Sequence, residues 1–132
     1  MKPMTWIAAC LVGLATILPA AAQDYPNRVI TLIVPFAAGG PGDTIAGIVG
    51  AAMSPHLGQQ IIIENTLGAG GTIGTHRVAK APADGYTILL MHVGQATSVS
   101  LYKKLPYDPV NDFEKIGLVT DVPMIKIGRA HV

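Results

Sequence analysis

Apolar and polar positions come in blocks along this chain. Val29–Pro35 (VITLIVP) is a β-branched apolar run, the pattern of a strand buried on both faces. A Gly/Pro-rich stretch follows from Phe36 to Thr44, with Asp43 or Thr44 placed to act as a helix N-cap. Ile45, Ile48, Val49 and Ala52 then recur at i, i+3, i+4 and i+7, which predicts an amphipathic helix ending near Leu57-Gly58. Gln60–Glu64 is a second short apolar strand, and Gly68-Ala69-Gly70-Gly71 a second glycine loop. Thr72 is set to cap a helix running to Ala81. Pro82-Ala83-Asp84-Gly85 signals a turn, Tyr86–Met91 (YTILLM) a third strand, and His92–Ser98 a third polar loop. Leu105–Pro109 reads as an extended linker, and Ile116–Val119 as a fourth strand.

Strand, loop and helix thus repeat in order. Strands that alternate with helices predict an α/β fold with a largely parallel sheet flanked by helices. In such sheets ligands sit beyond the carboxyl ends of the strands. All three glycine-containing loops follow strands, so all three fall at that edge.

The first two dozen residues belong to a different pattern. Lys2 supplies a positive start, Trp6–Leu18 an apolar run, and Ala20-Ala21-Ala22 a small-residue cleavage site. This is the three-part layout of a secretory signal peptide over residues 1–22. An apolar run of about 13 residues is short of the roughly 20 that span a bilayer. The sole cysteine, Cys10, lies inside this segment, so the mature chain is expected to be free of disulfides. Of 9 Lys and Arg, one is Lys2, which leaves 8 against 8 Asp and Glu (9 − 1 = 8) and a mature charge of zero. No basic patch points to nucleic acid. At the other end, Ile127–Val132 (IGRAHV) follows neither strand nor helix logic and matches a sequencing adapter read in one frame. It is read as adapter-derived, which the reading frame of the locus past Lys126 decides.

The loops carry the candidate chemistry. The first runs into a helix N-terminus, where free N–H groups and the helix dipole favour an anion. A plain strand-to-helix turn would use glycine in the same way. The second, Gly68–Gly74 (GAGGTIG), misses the dinucleotide fingerprint because Ile73 stands where the third glycine is needed. The third offers His92, Gln95, Thr97 and Ser98, whose amide and hydroxyl groups can orient a carboxylate. His56, His76, His92 and His131 have no metal-ligand spacing, and Ser98 has no nucleophile elbow. No catalytic residue, metal or cofactor is therefore assigned.

The stretch from Tyr25 to about Lys115 resembles the substrate-binding proteins of the tripartite tricarboxylate transporter family, the Bordetella uptake gene receptors. The matching pieces are Tyr25-Pro26, VITLIVPFAAGGPGDTIA at 29–46, LGQQIIIENTLGAGGTIGT at 57–75, VAKAPADGYTILLM at 78–91 and LYKKLPYDPVNDF at 101–113. The resemblance implies a two-lobed α/β receptor of the periplasmic-binding-protein type (type 2), closing on a carboxylate held by backbone amides, hydroxyls and waters. Carried over residue by residue, the ligand-binding positions are Gly39, Gly40, Asp43 and Thr44 in the first loop and Gly68, Ala69 and Gly70 in the second. In the third they are Gly94, Gln95 and Thr97. The chain departs from the family at AAGGPGD, where many members have PPGG, and at Ser98-Val99-Ser100, where Asn-Pro is common.

Members are usually more than twice as long, so the resemblance implies a fragment. Residues 23–120 would be part of the first lobe and 121–126 the start of a crossing to a missing second lobe. The implied ligand is a small organic anion: a di- or tricarboxylate, an amino acid or an aromatic acid. The implied partners are membrane subunits of a tripartite transporter, and the mature protein would be periplasmic and monomeric. A ligand sensor for a signalling partner and a nucleotide-dependent α/β enzyme stay open as alternatives. Mass spectrometry of the exported protein is expected to find the mature N-terminus at Gln23, and an intact Met1 would overturn the signal-peptide reading.

Overall fold

The computed structural model describes residues 24–121. The signal segment and the Ile127–Val132 tail lie outside the described residues, as does nearly all of the 121–126 crossing. The element order is β1 (Ile30–Val34), α1 (Pro41–Leu57), β2 (Ile61–Asn65), a 3₁₀ turn at Ala69–Gly71, α2 (Thr72–Ala79), β3 (Thr87–Leu89) and α3 (Gly94–Leu101).

β1 lies in the middle of a three-stranded sheet of order β2-β1-β3. Both pairings are parallel, with Leu32 opposite Ile63 on one side and Ile88 on the other. Ile30, Leu32, Ile33 and Val34 are all buried, as a β-branched run covered on both faces requires. The ladder reaches past the short β3: the Thr31 N–H donates to the Tyr86 carbonyl at 2.8 Å, and the Leu90 N–H to that of Ile33 at 3.0 Å. The periodicity therefore placed all three strands to within a residue or two.

Five expectations need correction. Thr72 does not cap α2 but is its first residue, with Gly71 as the N-cap. Neither Asp43 nor Thr44 caps α1. Gly40 is the N-cap, and Pro41 opens the helix where its missing N–H costs nothing. The buried face of α1 also differs: Ala46 and Gly50 face the sheet, whereas Ile48 is 67% exposed. Small side chains at i and i+4 bring the helix close, and a Cβ at Gly50 would already touch Ile61 at 3.6 Å. Finally, residues 116–119 form no strand, with Ile116 and Leu118 largely exposed. An apolar run becomes a strand only beside a partner, and none pairs with it among the described residues. Gly94–Leu101, read as part of a polar loop, is helix α3.

α1 ends where the sequence indicates, with Gly58 in the left-handed region at φ 65°. The Ser54 hydroxyl donates to the Gly50 carbonyl at 2.7 Å and accepts the Ile61 N–H at 3.3 Å, tying the last helical turn to the start of β2. At the opposite edge, Arg28 pairs with Asp84 at 2.8 Å and lies over the Tyr86 ring at 4.0 Å. Among the described residues, no helix is long and apolar enough to cross a membrane.

α2 packs with almost no clearance. A Cβ at Gly74 would sit 2.9 Å from both the Pro35 Cβ and the Thr66 carbonyl oxygen. Gly47, inside α1, has nothing within 4 Å. Gly74→Ala is expected to destabilise the full-length protein by about 1–3 kcal/mol through overpacking. Gly47→Ala should stabilise it by roughly 0.5–1 kcal/mol through helix propensity. Denaturant midpoints of the two variants check both signs.

Candidate functional site

The three strand ends deliver three loops to one edge, and they meet around Phe36. Its ring stacks on that of His92 at 4.4 Å between centroids and 21° between planes. A Cβ at Gly71 of the second loop would lie 3.4 Å from the same ring. Together Phe36, Ala37, Gly40, Pro41, Gly42 and His92 line an open cleft of about 350 Å³. This cleft is at the N-terminus of α1, which has no side-chain cap. The Gly40 N–H is taken by the Ala37 carbonyl at 3.2 Å, and Pro41 has none, so Gly42 and Asp43 are the first residues that offer N–H groups.

Asp43 holds the first loop in shape. Its carboxylate accepts the Gly39 N–H at 2.8 Å and the Asn65 amide at 3.0 Å. The Asn65 amide also donates to the Phe36 carbonyl at 3.1 Å, so the last residue of β2 pins both ends of the loop. The backbone bond from Gly39, aided by Asn65, holds the Asp43 carboxyl below its ordinary value of 3.8 and outweighs a small opposing effect of burial. Thr44 turns its hydroxyl back to the Gly40 carbonyl at 3.1 Å. Of the four first-loop candidates, Gly40 lines the cleft, while Gly39, Asp43 and Thr44 are bonded within the loop.

The second loop is a run of left-handed residues: Gly68 at φ 130°, Ala69 at 46°, Gly70 at 64° and Gly71 at 94°. It is closed by the Gly71 N–H on the Gly68 carbonyl at 2.9 Å and by the Thr72 hydroxyl on the Ala69 carbonyl at 3.0 Å. The missing third glycine of the dinucleotide pattern is explained here. Ile73 folds over Gly68, and the glycine that allows close helix packing is Gly74 instead.

In the third segment the Gly94 N–H donates to Nδ1 of His92 at 2.8 Å. Nδ1 is therefore the bare nitrogen and Nε2 carries the proton. Gln95 and Thr97 are not brought to the cleft beside Phe36. Gln95 donates to the Pro109 carbonyl at 3.2 Å, with its Oε1 buried and unpartnered, and Thr97 bonds back to its own helix. His92 was singled out in the third loop but not assigned to the ligand, whereas Phe36, Ala37, Pro41 and Gly42 on the cleft and Asn65 behind it were not picked out. A polar residue closing an apolar strand at a ligand-binding edge is the signal that marks Asn65.

The lining holds no Lys or Arg, and among the described residues no group of three or more His, Cys, Asp or Glu could hold a metal. The arrangement offers backbone donors, a helix dipole and an aromatic floor. It presents no organised base or nucleophile.

A parallel α/β sheet that gathers three loops at one edge is an architecture suited to a binding-protein lobe. The chain belongs to the tripartite tricarboxylate transporter family receptors, whose family model matches residues 45–132. The UPF0065 protein of the TAR-I ttuE-ttuC' intergenic region of Agrobacterium vitis is 54% identical over 118 residues, covering 87% of this chain and 34% of its own. Among solved structures, the periplasmic binding protein BugD is similar with a TM-score of 0.67 and 53% identity, over 68% of this chain and 30% of that one. MatC from Rhodopseudomonas palustris with bound malate gives 0.65 and 50%, over 67% and 31%. A further R. palustris protein with adipate gives 0.62 and 44%, over 65% and 29%. These neighbours have the periplasmic-binding-protein fold, and the family is one of solute-binding receptors, not enzymes. The chain spans about a third of the length of the curated relative it matches.

Asp43 yields a pH prediction. Its folded value is depressed, so the stability it contributes is complete above its ordinary pKa of 3.8 and is lost as pH falls below that toward the depressed value. Asp43→Asn removes this dependence. The acid limb of stability below pH 3.8 should flatten in the variant relative to the parent, as read from urea midpoints across pH 2–7.

Proposed function

We propose that the full-length protein is an extracytoplasmic receptor that captures a small carboxylate for a tripartite tricarboxylate-type transporter, with a dicarboxylate as the preferred class. The observation that carries this reading is the pair of neighbours at 50% and 44% identity over the same lobe, one with malate and the other with adipate. Both ligands are dicarboxylates. The local chemistry agrees: the cleft lies at an uncapped helix N-terminus, where a carboxylate is stabilised by N–H groups and the dipole. In this reading the signal segment directs export and residues 23–120 form part of the first lobe. One carboxylate of the ligand sits beside Gly40 and the N–H groups of Gly42 and Asp43. The monomeric receptor then docks on its membrane subunits.

Gly40 supports close approach of the ligand. It is extended at φ −78° and ψ 172°, a conformation a larger residue also adopts, and a Cβ there would sit 3.1 Å from the Ala37 carbonyl oxygen, so a side chain added there crowds the cleft and asks the turn to give by a few tenths of an ångström. Calorimetry of the full-length protein against malate, adipate, citrate, aspartate and an aromatic acid is the test. The expected outcome is saturable binding that favours a dicarboxylate and is weakened at least tenfold by Gly40→Val. Absence of binding to every carboxylate on the panel would sink the proposal.

A further inference from the structure

The second loop is strained and has no β-ladder of its own to hold it. Four consecutive residues from Gly68 to Gly71 are left-handed, and Ala69 is the single non-glycine residue with positive φ among the described residues. Such a conformation persists only where the surroundings over-determine it. The Gly71 N–H and the Thr72 hydroxyl and N–H hold it locally, Gly71 abuts Phe36 and Met91, and one hydrogen bond comes from a distant part of the chain: the Tyr102 hydroxyl donates to the Ala69 carbonyl at 3.0 Å. A second observation points to the same contact. A Cβ at Gly70 would fall 2.6 Å from that hydroxyl oxygen, so Gly70 leaves the space the hydroxyl occupies.

Tyr102 is itself well anchored. It is the C-cap residue of α3, and its N–H donates to the Ser98 carbonyl at 3.0 Å. Ser98 is buried, with its hydroxyl on the Gln95 carbonyl at 2.7 Å. α3 starts beside His92, where the Gly94 N–H meets Nδ1. The helix is thus a strut that runs from the His92 side of the cleft to the second loop and ends in a hydroxyl latch.

We propose that Tyr102 is a positioning residue for ligand capture, and that its hydroxyl fixes the Gly68–Gly71 loop in the orientation the bound carboxylate requires. With the latch closed, the Ala69 carbonyl accepts from both Thr72 and Tyr102, which ties the loop to α3 as well as to α2. Without it the loop samples other conformations, and binding must then select the competent one at a cost in affinity. The inference rests on the carboxylate-receptor reading above.

Tyr102→Phe in the full-length protein tests it. Tyr102 is 38% exposed, so removing its hydroxyl leaves the core intact. Three measurements are read together: affinity for malate and adipate, amide hydrogen exchange of the ligand-free protein, and melting temperature. The expected result is a roughly three- to tenfold loss of affinity, the range that one neutral hydrogen bond supports. Exchange should quicken only across residues 68–72, with β1 and the melting temperature unchanged. A parent protein that binds no carboxylate overturns both the receptor reading and this inference. A parent that binds, with a variant that binds equally well, overturns the latch alone. Weaker binding with unchanged exchange in the loop also overturns it, because the hydroxyl would then be touching the ligand. Faster exchange throughout the lobe would make Tyr102 a general stabilising residue and overturn it too.

Discussion

β1 is paired in parallel on both sides, and everything else in the lobe hangs from that ladder. Its Ile30, Ile33 and Val34 are fully buried, each worth about 1.5–3 kcal/mol of apolar transfer as an upper bound. Parallel pairing also dictates topology, because each strand must return through a helix to start again at the same end. The strand-to-helix turns are therefore forced onto one edge. The end of β1 reaches into both flanking loops. The Val34 carbonyl accepts the Thr66 N–H at 2.9 Å, and that of Ile33 accepts the Leu90 N–H at 3.0 Å.

That edge shows why glycine content alone says little about recognition. Gly74 is present because α2 would otherwise collide with Pro35 and Thr66, which is a packing reason. Gly68, Gly70 and Gly71 are present because the turn is left-handed, which is a backbone reason. Gly40 combines two reasons: its dihedrals suit any residue and it lines the cleft, yet a Cβ there would press on the Ala37 carbonyl at 3.1 Å, so both the turn and the approach of a ligand favour glycine. A similar division applies to the polar residues. Asp43 and Thr44 spend their oxygens on the loop itself, so they shape the cleft more than they offer groups to it.

The strands and the two longer connections were legible because β-branched runs and turn residues are local signals. The start of α1 is also locally encoded, in Gly40-Pro41, although Asp43 and Thr44 just beyond it are equally of the capping type. Its buried face was not legible, since apolar periodicity ranks Ile48 above Ala46 whereas close packing on the sheet prefers the small residue. α3 was missed because GQATSVSL has neither a strong apolar stripe nor a capping side chain. At the candidate site, the glycine turns could be anticipated. The side chains that hold them could not. Asn65 reaches Asp43 across 22 residues and Phe36 across 29, and Tyr102 reaches Ala69 across 33. No pattern within a window of one element contains those pairs.

The chemistry of the edge also sets what the remainder of the protein must contribute. A micromolar ligand needs about 8 kcal/mol of binding free energy. A helix dipole supplies about 0.3–1 kcal/mol, and hydrogen bonds to a charged group about 1.5–3 kcal/mol each. The cleft offers few free donors and is lined by no cationic side chain, so in the proposed receptor it would meet one carboxylate and leave the second without partners. A dicarboxylate has two charged ends, and each must find donors when water is excluded. The relatives are more than twice the length of this chain, and in the proposed receptor the other end of such a ligand would be met by residues beyond this lobe. In the proposed receptor, discrimination of a dicarboxylate from a monocarboxylate would therefore rest on those residues, because this cleft would offer the same handhold to both.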